Sequence, residues 1–282
     1  MGTVRIKTVL LSILGLFCLR ASLEAQASPP HTLFAQAAVK ILEQDFPKTG
    51  ASFLLLDAKS GAILARHWED AQSPIPLGSL VKPFTALAYA SGHDFQYPKL
   101  ACNGKRSACW QDRPHGALDL TSAISVSCNG YFRQLAQGVP SERIDQIARD
   151  FRIELPDGNF DSQTLAGLGD RWRISPLHMA QAYLELERRR NQPGVGEIVQ
   201  GMRQSALRGT GMSVGHQLTH TKALIKTGTA PCTHTPWAPA DGFTIVLLPA
   251  DAPEILLLIR KHSVIGATTA ELAGKLLREM EQ

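Results

Sequence analysis

The chain has 282 residues, of which 44% are hydrophobic and 19% charged, with a formal net charge of +4. That length is enough for one large core or two interleaved subdomains. The small charge excess argues against nucleic acid as a partner.

The first residues read as an export signal. Arg5 and Lys7 form a positive start, and residues 9–19 form an apolar run too short to span a bilayer. Ala25-Gln26-Ala27 is a small-x-small cleavage site, so residues 1–27 are expected to be a signal peptide and Ser28 the mature start. Phe17 is too large a neighbour for Cys18 to sit in a lipobox, and an uncleaved anchor is the alternative. The expected destination is periplasmic or extracytoplasmic, with a soluble chain after cleavage.

Residues 33–46 have helical apolar spacing. Residues 51–56 and 62–67 read as strands joined by the turn Asp57-Ala58-Lys59-Ser60-Gly61. The middle of the chain is helix-rich, with helices expected over 80–90, 120–126, 131–137, 141–151, 176–190 and 197–207. Ser141 after Pro140, and Ser175 before Pro176, mark helix starts. The basic run Glu187-Arg188-Arg189-Arg190 reads as a solvated last helical turn. Strands return at 223–225, 243–248 and 255–259, the last two apolar enough to be covered on both faces, and residues 267–281 close the chain as a helix. A sheet built from both chain ends, antiparallel because short turns join its strands, therefore surrounds a helical insertion.

Four cysteines follow the signal: Cys102, Cys109, Cys128 and Cys232. An oxidising compartment permits disulfides, and a local bridge is expected between Cys102 and Cys109. Zinc is the competing reading. It is set aside because no second ligand pair lies at short spacing, and the histidines form no HxH or HExxH pattern. No metal and no cofactor are expected.

Three short motifs carry the chemistry. In Ser79-Leu80-Val81-Lys82 the serine and lysine lie one helical turn apart on one face. The amine can take the hydroxyl proton if burial or a neighbouring cation, such as Lys226, destabilises its ammonium form. In Ser127-Cys128-Asn129 a second hydroxyl can relay a proton, and Asn129 offers a donor and an acceptor to a substrate amide. In Lys226-Thr227-Gly228-Thr229 the lysine and the threonine hydroxyls can bind a carboxylate, while Gly228 leaves room for a ligand backbone. Backbone N–H groups at Ser79 and Thr229 are the expected oxyanion donors. Each motif alone is weak. Their order, at separations of 48 and 99 residues and in the expected local structure, is specific.

On these motifs the chain resembles the penicillin-recognising serine acyltransferases, which comprise penicillin-binding protein transpeptidase domains and serine β-lactamases. His115-Gly116-Ala117-Leu118-Asp119-Leu120, Gly167-Leu168-Gly169, Ile174-Ser175-Pro176 and Gly209-Thr210-Gly211 look more like the transpeptidases. The resemblance implies an α+β fold: a five-stranded antiparallel sheet flanked by helices, with an all-helical subdomain. Residues 28–78 and 210–282 would form the α/β part and 79–209 the helical part. It further implies Ser79 as nucleophile, Lys82 as base and Ser127 as relay. Asn129, Lys226, Thr227, Gly228 and Thr229 would bind substrate. The implied ligands are peptidoglycan stem peptides ending in D-Ala-D-Ala and β-lactams as covalent inhibitors, with other cell-wall enzymes as possible protein partners. Transpeptidation or carboxypeptidation is the leading reading. A serine β-lactamase and a non-catalytic sensor or scaffold are its rivals. Glu154 and Asn159 are badly spaced for a class A deacylating pair, and Tyr-Gly-Asn of class D is missing. Cys128 stands where an aspartate is common. It is expected to be a small buried hydrophobe, with pairing to Cys232 or thiol reactivity as alternatives.

Overall fold

The computed structural model describes residues 33–281. The expected signal peptide lies outside these residues. Helix α1 (Leu33–Asp45) leads into strands β1 (Ala51–Asp57) and β2 (Ile63–His67). After the helical middle come β3 (Leu224–Ala230), β4 (Asp241–Leu248) and β5 (Ile255–His262). They form one antiparallel five-stranded sheet in the order β2-β1-β5-β4-β3. The two chain ends therefore meet at the β1–β5 pair, and the motif-bearing β3 lies at an edge.

Period-two alternation divides the apolar strands between two cores. Leu54, Leu56, Ile245, Leu247, Leu256 and Leu258 face the helical insertion, in one cluster with Phe84 and Tyr183. Phe53, Leu55, Val246, Leu248, Leu257 and Ile259 face the other way, against Leu42 and Phe46 and against Ala270 and Leu277 of the closing helix. Near-continuous apolar runs are thus required, because both faces are covered.

The insertion supplies α2 (Lys82–Ala90), α3 (Leu120–Ser125), α4 (Asn129–Ala136), α5 (Ser141–Phe151), α6 (Pro176–Arg188) and α7 (Gly196–Arg208), and α8 (Gly266–Arg278) closes the fold. Asp119 caps α3 by accepting from Ser122 N at 2.8 Å, and Ser175 caps α6 by accepting from His178 N. Helix α2 packs against both α4 and α5. Among the described residues no helix is long and apolar enough to cross a membrane.

The basic run after α6 is not a solvated helix end. Arg190 donates to the carbonyls of Ala250 and Asp251, Arg188 donates to Lys59 O, and Arg189 lies 4.7 Å from the Phe151 ring centroid. The Arg188 and Arg190 guanidiniums satisfy loop carbonyls at one end of the sheet, a task their several fixed donors suit.

Candidate active site

The turn that carries Ser79 is a 3-10 helix, Gly78–Val81, rather than the first turn of an α-helix. Lys82 follows as the first residue of α2, and its amine is engaged by Ser127 and Asn129. Lys82 N donates to Ser79 O at the junction with α2. Buried Tyr183 Oη donates to Leu80 O at 2.8 Å, and Thr85 Oγ1 donates to Leu165 O at 2.6 Å. The turn is thereby pinned from behind.

Close backbone packing brings this turn against β3. Gly78 has φ of +57°, and a Cβ there would lie 2.1 Å from Thr229 O. At Gly228 a Cβ would lie 2.5 Å from Leu77 O, so the space beside this glycine is taken by the serine-bearing turn itself. That room, which the sequence pattern offers to a ligand, is filled by the chain on this side. Gly228 still lines the cleft, but what requires a glycine is contact between two parts of the chain.

Ser127 joins α3 to α4 with φ of +51°. Such left-handed backbone costs a non-glycine residue roughly 1–2 kcal/mol. Burial and hydrogen bonding over-determine it: Ser127 N donates to Ile124 O at 3.1 Å, and Lys82 Nζ donates to Ser127 O at 2.8 Å. Lys82 Nζ also donates to Asn129 Oδ1 at 2.6 Å and lies 3.4 Å from Ser127 Oγ. Lys226 Nζ donates to the same Ser127 Oγ at 2.9 Å and to Thr227 O at 2.7 Å. Three segments far apart in sequence therefore converge on one hydroxyl.

Both lysines are fully buried. Burial pushes the Lys82 pKa down to about 7, against an opposing pull from the thiols of Cys128 and Cys109. Lys226 is held well below the usual lysine range, first by burial and then by the neighbouring Lys82. Neither amine lines the open cleft, which is a cavity of about 210 Å³ bordered by Ser79, Ser127, Asn129 and the Thr227–Thr229 edge of β3. Lys226 reaches that cavity only through Ser127 and Thr227.

The cleft also contains residues to which the sequence reading gave no role. Thr227 Oγ1 donates to Thr210 Oγ1 at 2.6 Å, and Thr229 Oγ1 accepts from Gly266 N at 2.9 Å. Trp110, Leu168 and residues 265–267 at the start of α8 complete its lining. Position between Gly209 and Gly211 was the only sequence signal for Thr210. For Trp110 there was none. Among the residues bordering this cavity there is no carboxylate, and Glu154 instead accepts from His178 Nδ1 at 2.8 Å.

The expected Cys102–Cys109 bridge is absent: all four described cysteines are free thiols. His115 Nδ1 lies 3.5 Å from Cys102 Sγ and 3.6 Å from Cys109 Sγ, and Cys109 Sγ faces Cys128 Sγ at 3.8 Å. Cys128 caps α4 by accepting from Tyr131 N and does not pair with Cys232. Donation from Cys128 holds Cys109 towards thiolate, and the same contact together with burial pushes Cys128 up. The four donor atoms lie within 4.8 Å of one another. The separations of 3.5, 3.6 and 3.8 Å among three of their pairs are near the roughly 3.5–3.8 Å edges of a tetrahedral Cys3His zinc set. Zinc was set aside for want of a second close pair in sequence, yet the fold gathers the donors from separate segments. This node sits directly behind Ser127 and Asn129 and at the base of Trp110.

Fold and cleft are those of a transpeptidase domain. Residues 51–260 match the family described as "Penicillin binding protein transpeptidase domain", and the chain belongs to that family. It is similar to the peptidoglycan D,D-transpeptidase MrdA of Haemophilus influenzae, with 31% identity over 113 residues, covering 36% of this chain and 17% of that protein. The chain thus spans a small part of that curated relative. Among solved structures it resembles Pseudomonas aeruginosa PBP2 in complex with WCK 5153 (TM-score 0.69, 17% identity, 88% of this chain and 76% of that one). It also resembles PBP2 of Helicobacter pylori in a complex with MreC (TM-score 0.69, 15% identity, 88% and 62%). The transpeptidase domain of Burkholderia pseudomallei penicillin-binding protein 3 is similar too (TM-score 0.65, 14% identity, 88% and 91%). At these identities the structural likeness speaks for the fold.

Proposed function

We propose that this chain is an exported serine D,D-acyltransferase, a transpeptidase or carboxypeptidase that acts on peptidoglycan stem peptides through an acyl-enzyme on Ser79. The observation that carries the reading is the convergence of Lys82 and Lys226 on Ser127 beside the cleft that Ser79 borders.

In this mechanism Lys82, neutral because it is buried, takes the Ser79 proton as Oγ attacks the carbonyl carbon of the penultimate D-Ala. The carbonyl π bond opens to an oxyanion, which the N–H groups of Ser79 and Thr229 stabilise. The close fit of Gly78 against Thr229 supports that pairing. As the intermediate collapses, Ser127 gives its proton to the departing amine of the terminal D-Ala and takes in its place the proton that Lys82 accepted from Ser79, while Lys226 stabilises the negative charge that develops on the relay oxygen. Asn129 uses its carbonyl oxygen on Lys82 and so keeps its N–H donors for a substrate amide. The hydroxyls of Thr210, Thr227 and Thr229 bind the terminal carboxylate, with Lys226 adding its field from behind. An amine or water then takes the acyl group, and Ser79 recovers its proton. β-Lactams would acylate the same serine, and other cell-wall enzymes are the expected protein partners.

Mass spectrometry after penicillin treatment tests this reading. The expected adduct adds one intact penicillin to the Ser79 peptide and is absent from Ser79→Ala. Release of D-Ala from a pentapeptide is expected to accompany it. Sustained turnover of a chromogenic β-lactam would instead favour a β-lactamase, and labelling without D-Ala release a sensor. An adduct on any residue other than Ser79 would overturn the assignment.

A further inference from the structure

A second group of ligating side chains lies at the far end of β3, away from Ser127. Cys232 and His234 belong to the connection that leaves β3, Asp241 begins β4, and His262 ends β5. Asp241 is paired across the sheet with both Ala230 and His262, so three strand ends meet at its carboxylate. The carboxylate is buried at 2% exposure, where a charge has to be held by cations or hydrogen-bond donors around it, here His262, His234 and the nearby Arg260.

The donor atoms are already gathered. Asp241 Oδ1 accepts from His262 Nδ1 at 2.6 Å, and Asp241 Oδ2 is 3.7 Å from His234 Nε2. Cys232 Sγ is 3.9 Å from both His234 Nε2 and His262 Nδ1. All four ligand atoms lie within 4.8 Å of one another. A tetrahedral zinc ion with one sulfur, two imidazole nitrogens and one carboxylate oxygen has edges of about 3.3–3.7 Å, so small side-chain adjustments suffice. His234 also borders an open cavity of about 520 Å³, which gives an ion a route in.

We propose that Cys232, His234, Asp241 and His262 form a binding site for a divalent zinc-type ion that ties the β3–β4 connection to the end of β5. Two anions and two neutral imidazoles balance the ion's double charge. On binding, the Cys232 thiol releases its proton to solvent. The proton that His262 Nδ1 now donates to Asp241 moves to Nε2, freeing Nδ1 to ligate. His234 Nε2 at present accepts from Arg260 Nη1 at 2.9 Å, so this nitrogen carries no proton and its lone pair turns to the ion once that hydrogen bond is given up. Arg260 retains Ser52 Oγ at 2.9 Å and the Trp68 ring at 4.5 Å when it yields that contact. The site is separate from the proposed chemistry at Ser79 and stands without it.

The test is alkylation of the full chain by iodoacetamide, with the rate read at the Cys232 peptide by mass spectrometry, in zinc or in chelator. Reading that peptide keeps the result independent of the three cysteines behind Ser127. Zinc is expected to slow alkylation of Cys232 by at least tenfold, and chelator to restore it. His234→Ala, a change on a loop, is expected to abolish the protection while leaving the thermal unfolding midpoint in chelator unchanged. Equal rates in zinc and chelator would overturn the proposal, as would full protection persisting in His234→Ala.

Discussion

Ser127 accepts from the buried amine of Lys226 and lies 3.4 Å from that of Lys82, in a backbone conformation unfavourable to any residue with a Cβ. Two like charges this close cannot both be favourable, so at least one lysine is driven towards its neutral form. The lowered Lys82 pKa of about 7 sets an expectation for pH dependence. Penicillin acylation should rise with pH through about 7 and then level, as measured by stopped-flow labelling. Lys82→Met should lose about 10²–10⁴-fold of that rate. The stability consequence has a definite sign. The folded pKa lies below the ordinary value of 10.5, so between about 7 and 10.5 the unfolded chain binds more protons. Buried Lys82 therefore makes the fold less stable at neutral pH, and that cost diminishes as pH rises to 10.5. Denaturant midpoints of wild type and Lys82→Met should converge across this window, with the wild type gaining more on going alkaline.

Within the elements, two contacts hold the Ser79 turn in register. Tyr183→Phe removes the donor to buried Leu80 O and leaves that carbonyl unpaired, which should cost about 1–3 kcal/mol and slow labelling together. Gly78→Ala is the harsher change, since it adds left-handed strain and a Cβ 2.1 Å from Thr229 O. Its labelling should be lost even where circular dichroism shows retained secondary structure. By contrast, Leu258→Ala in the centre of β5 should cost about 2–5 kcal/mol in urea unfolding, with the labelling rate of the folded fraction unchanged. That contrast separates residues that shape the cleft from residues that only hold the sheet. The strands were the easiest elements to read, because runs such as Phe243-Thr244-Ile245-Val246-Leu247-Leu248 have few other uses in a chain of this composition. The 3-10 geometry at Ser79 was not legible, because it depends on the left-handed Gly78 and on β3 pressing from another part of the chain.

At the level of the whole molecule, the sheet closes only when both chain ends have been made, and its closure brings Lys226 to a helical insertion 99 residues earlier in sequence. The same sheet assembles the thiol-containing group at its far end, Cys232 with His234, Asp241 and His262, whereas the group behind the cleft is gathered within residues 102–128 of the insertion. Free-thiol counting on the folded chain should find Cys102, Cys109 and Cys128 unreactive until denaturant is added, and Cys232 reactive in chelator without it. This follows from their burial and from its partial exposure. Local sequence chemistry determined the elements, the three motifs and the family, because periodicity, caps and short spacings act within a few residues. What only the tertiary structure decided was where the amines point and which sulfurs meet. Lys226 lies behind Ser127 rather than in the open cleft, and Cys102 and Cys109 stay free thiols that share the imidazole of His115. Those outcomes depend on burial and on contacts across the sheet and between helices, which spacing along a chain does not encode.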